Sequence, residues 1–291
     1  MRDIIKLAIM FLIILLVYIF RNSIIYFVYD KIIYRGSVLS YNEYFLNNNY
    51  EYFKIVDTDK ATNKQELLNI LYTTIDSGDD SYSFYCKYSD CVIDVKNIIN
   101  DEEFLPNINN FVHPYNSFES INVDITTLDR ITLTIKKVYS EYEIEFINNY
   151  IDSFIRGNIT SNMSDYDKIK AFHDYIINLY EYDEKKSNKS YSAYNLITKG
   201  KAICGAYSDL MAIYLNYLGI KNYKISSETH IWNLIYLDGK WYHLDATWDD
   251  PVASDGKPHL LHNFFMITTE ELLELDNIEH NFDKNMFKEA N

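Results

Sequence analysis

Gly200-Lys-Ala-Ile-Cys-Gly-Ala-Tyr207 is the stretch on which this 291-residue chain turns, because it delivers one cysteine, Cys204, to the first turn of a helix. The helix is read from spacing: Tyr207, Leu210, Met211, Tyr214, Leu215 and Leu218 recur three, four and seven apart, and Gly219 follows as a left-handed stop. An amphipathic helix with one apolar face in a core is the expectation. At a helix start, unpaired backbone N–H groups and the positive end of the dipole favour the thiolate, the reactive form, over the thiol. Gly200 and Gly205 flank the cysteine. Gly205 leaves room for a substrate carbonyl beside the first N–H groups, which then act as oxyanion donors. Taken alone, the segment leaves two readings open, a nucleophile and a small core residue.

The residues downstream of Gly219 bear on that choice. Lys221 to Ser226 reads as a strand, and His230 to Leu237 and Lys240 to Asp245 read as two more, joined by Asp238-Gly239. Asp-Gly between two apolar runs is a strong hairpin signal, and a two-residue loop pairs Leu237 with Lys240. The register then sets Trp232 opposite Asp245 and His230 opposite Thr247. Side chains alternate along a strand, so one face carries His230, Trp232, Leu234 and Tyr236 with Trp241, His243, Asp245 and Thr247. His230 and Asp245 become diagonal neighbours, near enough for an imidazole N–H to meet a carboxylate. Cysteine, histidine and aspartate supply a nucleophile, a base that takes or shares its proton, and an acid that fixes the base's tautomer. His243 shares the face, but it stands beside Asp245 on the same strand. His230 lies at the open end of the hairpin, where a helix start can meet it.

Cys204-Gly-Ala-Tyr207, His230-Ile-Trp-Asn233 and Trp241-Tyr-His-Leu-Asp-Ala-Thr-Trp-Asp-Asp-Pro251 together resemble the transglutaminase-like superfamily, whose Cys, His and Asp are arranged as in papain. The resemblance covers roughly residues 140 to 270 and is closest to the bacterial, surface-associated branch. It implies that Cys204 is the nucleophile, His230 the base and Asp245 its partner. It also implies an α+β fold in which the cysteine helix packs on an antiparallel sheet. The expected activity is a cysteine-dependent acyltransferase or hydrolase acting on glutamine amides or peptide bonds through a thioester. The alternative is a non-enzymatic cell-surface scaffold or binding module on the same fold. Gly205 and Trp232 are candidate substrate contacts, and no cofactor or metal is expected. Animal transglutaminases place an oxyanion-stabilising tryptophan upstream of the cysteine, whereas Trp232, Trp241 and Trp248 all lie downstream here. Tyr182 and Tyr194 are the aromatic substitutes on offer.

The rest of the chain bounds the setting. Formal net charge is −15, and removing the three basic and two acidic residues of the first 30 leaves the body one charge more negative. Such a body repels nucleic acid, so the expected partner is a protein, peptide or cell-wall substrate. Three cysteines, Cys86, Cys91 and Cys204, do not make a disulfide framework or a zinc spacing. Cys86 and Cys91 fit either a bridge in an exported body or two half-buried thiols.

Ile4 to Phe20 is apolar except for Lys6, and no small-x-small cleavage site follows between Val17 and Ser37. The expectation is a single-pass signal anchor over residues 1–30, with the body extracytoplasmic. Residues 31–140 are expected to form a stalk and a small α/β module with helices at Asn63–Ile75 and Val92–Ile99 and strands at Tyr82–Tyr88 and Ile131–Ile135. The catalytic domain is expected over 141–291, opened by helices Glu141–Ile155 and Tyr166–Tyr180, the second with a capping-box start at Ser164. His173, on the apolar side of that helix, reads as a core histidine. Asp249 and Asp250 read as a strand end, and His259 and His262 as loop residues with no metal spacing.

Overall fold

A computed structural model describes residues 2–28, 38–126, 129–183, 185, 190–250 and 260–291. The chain opens on helices α1 (Arg2–Ile19) and α2 (Arg21–Val28). Among the described residues no helix is long and apolar enough to cross a membrane, which corrects the expected transmembrane span. The physical reason is length. Arg2, Asp3 and Lys6 occupy the start of α1, and the apolar run from Leu7 to Phe20 reaches only about 21 Å at roughly 1.5 Å per residue, against a hydrocarbon core of about 30 Å.

The segment expected as a stalk is instead a strap without regular structure that is tied onto helix α3, which follows strand β1 (Lys60–Ala61) and spans Lys64–Ser77. Asn69, Thr73 and Asp76 lie four and three residues apart on one face of α3. They accept the backbone N–H groups of Lys54 at 3.0 Å, Val56 at 3.0 Å and Asn47 at 3.1 Å. A polar helix face thus satisfies a passing irregular backbone, and Phe53 between these ties is fully buried. Asn63 caps the start of α3, and Gly78 ends it in the left-handed conformation. A side chain at Gly78 would strike the Asn42 amide at 2.1 Å, so the position admits only glycine.

Strand β2 (Ser81–Cys86), helix α4 (Cys91–Ile99) and strands β3 (Phe118–Ile125) and β4 (Arg130–Lys137) complete this first module. Its sheet order is β1-β2-β4-β3, with β2–β4 and β4–β3 antiparallel and β1–β2 parallel. β3 is hidden from a reading of the sequence because a bulge between Phe118 and Ser120 breaks its alternation. Cys86 and Cys91, at the end of β2 and the start of α4, form a disulfide.

Helices α5 (Glu141–Asn158) and α6 (Asp165–Leu179) open the second half, and both carry complete capping boxes, Ser140 with Glu143 and Ser164 with Asp167. Then come β5 (Glu181–Tyr182), α7 (Ala193–Lys199), β6 (Lys201–Ala202) and the cysteine helix α8 (Cys204–Tyr217). Strands β7 (Asn222–Ser226), β8 (Ile231–Leu237), β9 (Lys240–Leu244) and β10 (Phe265–Ile267) make an antiparallel sheet in the order β10-β9-β8-β7, and α9 (Thr269–Leu275) follows. Asp238 and Gly239 both take positive φ, 50° and 85°, as the tight hairpin turn requires.

This sheet lies between two cores. Ile235, Leu237 and Leu244 join α5, α6, α7 and α8 on one side, while Tyr223, Ile225, Trp232 and Leu234 join the core of the first module on the other. Every residue of α8 from Ala206 to Leu215 is buried. The expected amphipathic helix is therefore a core helix, apolar nearly all round because protein surrounds it.

Candidate active site

Cys204 is the first residue of α8, and Ile203 before it supplies no side-chain cap. The first N–H groups of the helix are consequently not occupied by a capping side chain. Cys204 is the free cysteine of the described residues and is half-buried. Strand β6 delivers it: Ala202 pairs in parallel with Tyr182, and the Ile203 N–H donates to the Ser190 carbonyl at 2.9 Å. The same short pairing sets Tyr182 within the electrostatic reach of Cys204. Burial first, and then the charge at Cys204, raise the Tyr182 phenol above its ordinary value, so it stays a hydrogen-bond donor. Tyr194, the other aromatic substitute, packs instead on Phe146 and Tyr142 of α5. Gly200 belongs to α7 rather than to the site, since it forms that helix's left-handed stop.

His230 Nε2 hydrogen-bonds to Asp245 Oδ2, and Cys204 lies near enough to the same imidazole to act on its charge. With Nε2 committed to the carboxylate, Nδ1 is the nitrogen left for sulfur. Burial works against a charged imidazole here, but Asp245 and Cys204 outweigh it and push the His230 pKa up to about 10. Asp245 is buried too, which alone would raise its pKa; the hydrogen bonds and charge of His230 and His280 hold it well below the usual carboxylate range. Its Oδ1 accepts the N–H groups of Thr247 at 2.9 Å and Trp248 at 3.2 Å, which lock the carboxylate's orientation.

The β8–β9 ladder closes at Asn233–Leu244, one pair short of the register expected for Trp232 and Asp245. The Asp245 N–H donates to the Phe264 carbonyl instead, at 2.9 Å. His230 lies just before β8 and Asp245 just after β9, where strict alternation no longer binds their side chains. This freedom lets them meet a cysteine arriving from the α8 side of the sheet. Residues inside the ladder keep the predicted face: Trp232 Nε1 donates to His243 Nδ1 at 3.0 Å, and His243 Nε2 bonds Thr269 Oγ1 at 2.8 Å. Both nitrogens of His243 are thereby spent within the core. Burial drives its pKa down to about 3, so it is a neutral structural residue. Trp232, a candidate substrate contact, is buried in the free chain and stacks on the His230 ring at 5.7 Å. Gly205 lines a cleft of about 730 Å³ that also reaches Tyr191, Asn110, Lys224 and Asp209.

His280 carries no signal in the sequence. It lies 35 residues beyond Asp245, with no spacing to link them, yet its Nε2 stands 3.0 Å from Asp245 Oδ2 and its Nδ1 2.9 Å from Asp276 Oδ2. Asp249 and Asp250 do more than end a strand. Asp250 accepts the Tyr207 hydroxyl at 2.7 Å, and Asp249 meets His173 Nε2 at 3.2 Å. Pro251 and His259 lie outside the described residues.

Residues 153–246 match the family model described as the transglutaminase-like superfamily. The human Kyphoscoliosis peptidase is 18% identical over 182 residues, which cover 55% of this chain and 26% of that protein. The chain thus spans about a quarter of the length of this curated relative. Among solved structures, a TGase aligns over 60% of this chain and 53% of its own at 16% identity and a TM-score of 0.35. A candidate cysteine protease from Cytophaga hutchinsonii aligns over 44% and 61% at 17% identity and a TM-score of 0.29. The matched segment holds Cys204, His230 and Asp245 together with the helix and hairpin that present them, and the domain built from residues 153–246 belongs to the transglutaminase-like superfamily.

Proposed function

We propose that this chain is a cysteine-dependent acyltransferase or hydrolase acting on glutamine side-chain amides or peptide bonds. The observation that carries the reading is the buried His230–Asp245 hydrogen bond set beside the free thiol of Cys204 at the first turn of α8. In the first step Cys204 Sγ bonds to the acyl carbon, the C–N bond breaks, and His230 gives its proton to the departing nitrogen. In the second, water or an amine attacks the thioester, His230 takes the proton of the incoming group, and the S–C bond breaks. Asp245 holds the imidazole in place through both steps. The first N–H groups of α8 and the Tyr182 hydroxyl stabilise the oxyanion, with Tyr182 in the role that animal transglutaminases give to tryptophan. The acidic body favours a protein, peptide or cell-wall substrate over nucleic acid.

The first two helices serve attachment to a lipid surface rather than crossing it. Leu7 and Phe11 are 68% and 69% exposed, and the apolar side chains around them join neither core. The disulfide at Cys86–Cys91 suits a body exported to an oxidising compartment. Protease treatment of intact cells tests that placement, and a body fully protected from digestion would rule it out. For the chemistry, the purified chain is treated with a thiol-directed electrophile beside a Cys204→Ala control. Saturable labelling at Cys204, with an acyl adduct trapped on its sulfur after incubation with a glutamine peptide or a peptide ester, is the expected result. An inert Cys204 in folded protein would mark the scaffold reading as the right one.

A further inference from the structure

A second group of histidines and carboxylates lies outside the Cys204 site. His173 and Asp174 project from α6, and His262 comes from the segment ahead of β10. His173 Nδ1 is 3.1 Å from Asp174 Oδ1, and His262 Nε2 is 2.7 Å from that same oxygen. All three offer a ligand atom, and these atoms lie within 4.8 Å of one another. Lys170 Nζ reaches into the group, donating to Asp174 Oδ2 and standing 2.9 Å from His262 Nε2.

The hydrogen-bond logic of this group conflicts with itself. A ring nitrogen has one in-plane orbital, which either carries a hydrogen or holds a lone pair. Toward Asp174 Oδ1, His262 Nε2 must donate; toward the Lys170 ammonium, it must accept. It cannot do both. A divalent cation in place of the ammonium removes the conflict, since it takes lone pairs from the two nitrogens and the carboxylate oxygen alike. Lys170 is 39% exposed and is free to turn its ammonium to water. The 2.7 and 3.1 Å separations need to open to about 3.3–3.6 Å around a tetrahedral ion with bonds of about 2.0–2.2 Å, a shift that side-chain rotation of the partly exposed His262 and Asp174 can supply.

The second observation is independent of the ligand atoms. His173 presents its other nitrogen, Nε2, to Asp249 Oδ2 at 3.2 Å, and Asp249 is itself fully buried and fixed by the Phe264 N–H on Oδ1 at 3.0 Å. Without an ion the ring donates from both nitrogens, to Asp249 and to Asp174; Asp249 keeps the hydrogen on Nε2, so an ion that displaces the Nδ1 hydrogen meets a lone pair there, which is the backing that metal-ligating histidines use. His173 is buried and Asp174 and His262 are partly exposed, so the ligand atoms face an entry path from solvent.

We propose that His173 Nδ1, Asp174 Oδ1 and His262 Nε2 bind a first-row divalent ion of the zinc class, with Asp249 orienting His173 and a fourth position open to water. Two histidines and one carboxylate suit zinc better than calcium or magnesium, which prefer oxygen ligands alone. The ion ties α6 to the segment that leads from Asp249 into β10. It thereby braces the stretch that begins at Asp245, without touching the thiol.

The test uses the untagged full chain, stripped with a chelator and then dialysed against zinc or cobalt. One equivalent of metal per chain is expected, together with a rise in melting temperature of roughly 5 °C at saturating zinc. Cobalt should give visible d–d bands without a sulfur charge-transfer band. Prior alkylation of Cys204 should leave the stoichiometry unchanged. His262→Ala should abolish binding, and Asp249→Asn, which keeps the ligands, should weaken it roughly 10- to 100-fold. Retention of no metal overturns the site. So does binding that is lost on alkylation of Cys204 or that survives His262→Ala, because the ion would then sit elsewhere. None of these readouts depends on turnover, so the acyl-transfer reading stands or falls separately.

Discussion

Two clusters of this molecule have the same composition, two histidines and one aspartate with their ligand atoms within 4.8 Å of one another, and they differ in what surrounds them. Around Asp245, both His230 and His280 are buried, and the Cys204 thiol lies near the His230 imidazole. Around Asp174, the cluster opens toward solvent, and the outer nitrogen of His173 is met by a second carboxylate, Asp249. A thiol on the imidazole makes a nucleophile and base; a carboxylate on it makes a ligand with a fixed lone pair. Residue type does not decide the chemistry. The third partner does.

Removal of the thiol's partner should have the largest effect. His230→Ala is expected to lower kcat/KM by about 10⁴-fold and to slow alkylation of Cys204 by iodoacetamide at pH 7, both read from initial rates on folded protein. His262→Ala, which leaves the thiol and its neighbouring imidazole in place, should change both far less than His230→Ala does. If the two variants behave alike, the clusters are not chemically distinct.

Asp245→Asn comes next, at about 10³-fold in kcat with the fold retained. The pKa of His230 should then fall from about 10 toward its ordinary value, followed by its NMR titration. The same pairing ties stability to pH. Because the folded value of His230 is raised above roughly 6.5, its contribution is complete below that pH and is lost as pH rises through about 10. Asp245 is depressed, so its contribution is present above roughly 3.9 and is lost on further acidification. Chemical denaturation across pH should show both flanks in the native chain and lose them in Asp245→Asn.

Tyr182→Phe should cost about 10²-fold in kcat with KM little changed, as expected for a donor that acts on the oxyanion rather than on bound substrate. An unchanged kcat would leave the oxyanion to the helix N–H groups alone. The smallest catalytic effect belongs to His243→Ala, whose two ring nitrogens are engaged by Trp232 and Thr269. It should leave alkylation of Cys204 unchanged and lower stability by about 1–3 kcal/mol, because the buried Trp232 N–H loses its acceptor. A silent thiol in this variant would show that His243, and not His230, serves Cys204.

The elements that sequence reading places well are those whose signals are local. Spacing and Gly219 locate α8 to within a residue, Ser164 and Asp167 locate the start of α6, and Asp238-Gly239 sets the hairpin and its register as far as the ladder runs. The readings that fail depend on surroundings. The strap at 38–59 looks like a polar linker until α3 offers Asn69, Thr73 and Asp76 to its backbone. Leu7 to Phe20 looks like a membrane span until the charged residues at the start of α1 are counted against its length. His173 reads as an ordinary core histidine because its partner Asp249 stands 76 residues away.

By itself the sequence determined the helix that begins at Cys204 and the hairpin that carries His230 and Asp245, because spacing and a two-residue turn act over a few positions. Only the tertiary structure decided which tyrosine stands by Cys204, that His280 closes the far side of Asp245, and that a second histidine cluster exists at all. Tyr182 reaches its place through a parallel pairing of β5 with β6, and His280 through the return of the chain after α9. Contacts across such separations leave no period or spacing in the chain, since they arise from how buried layers fit together and not from the geometry of any one element.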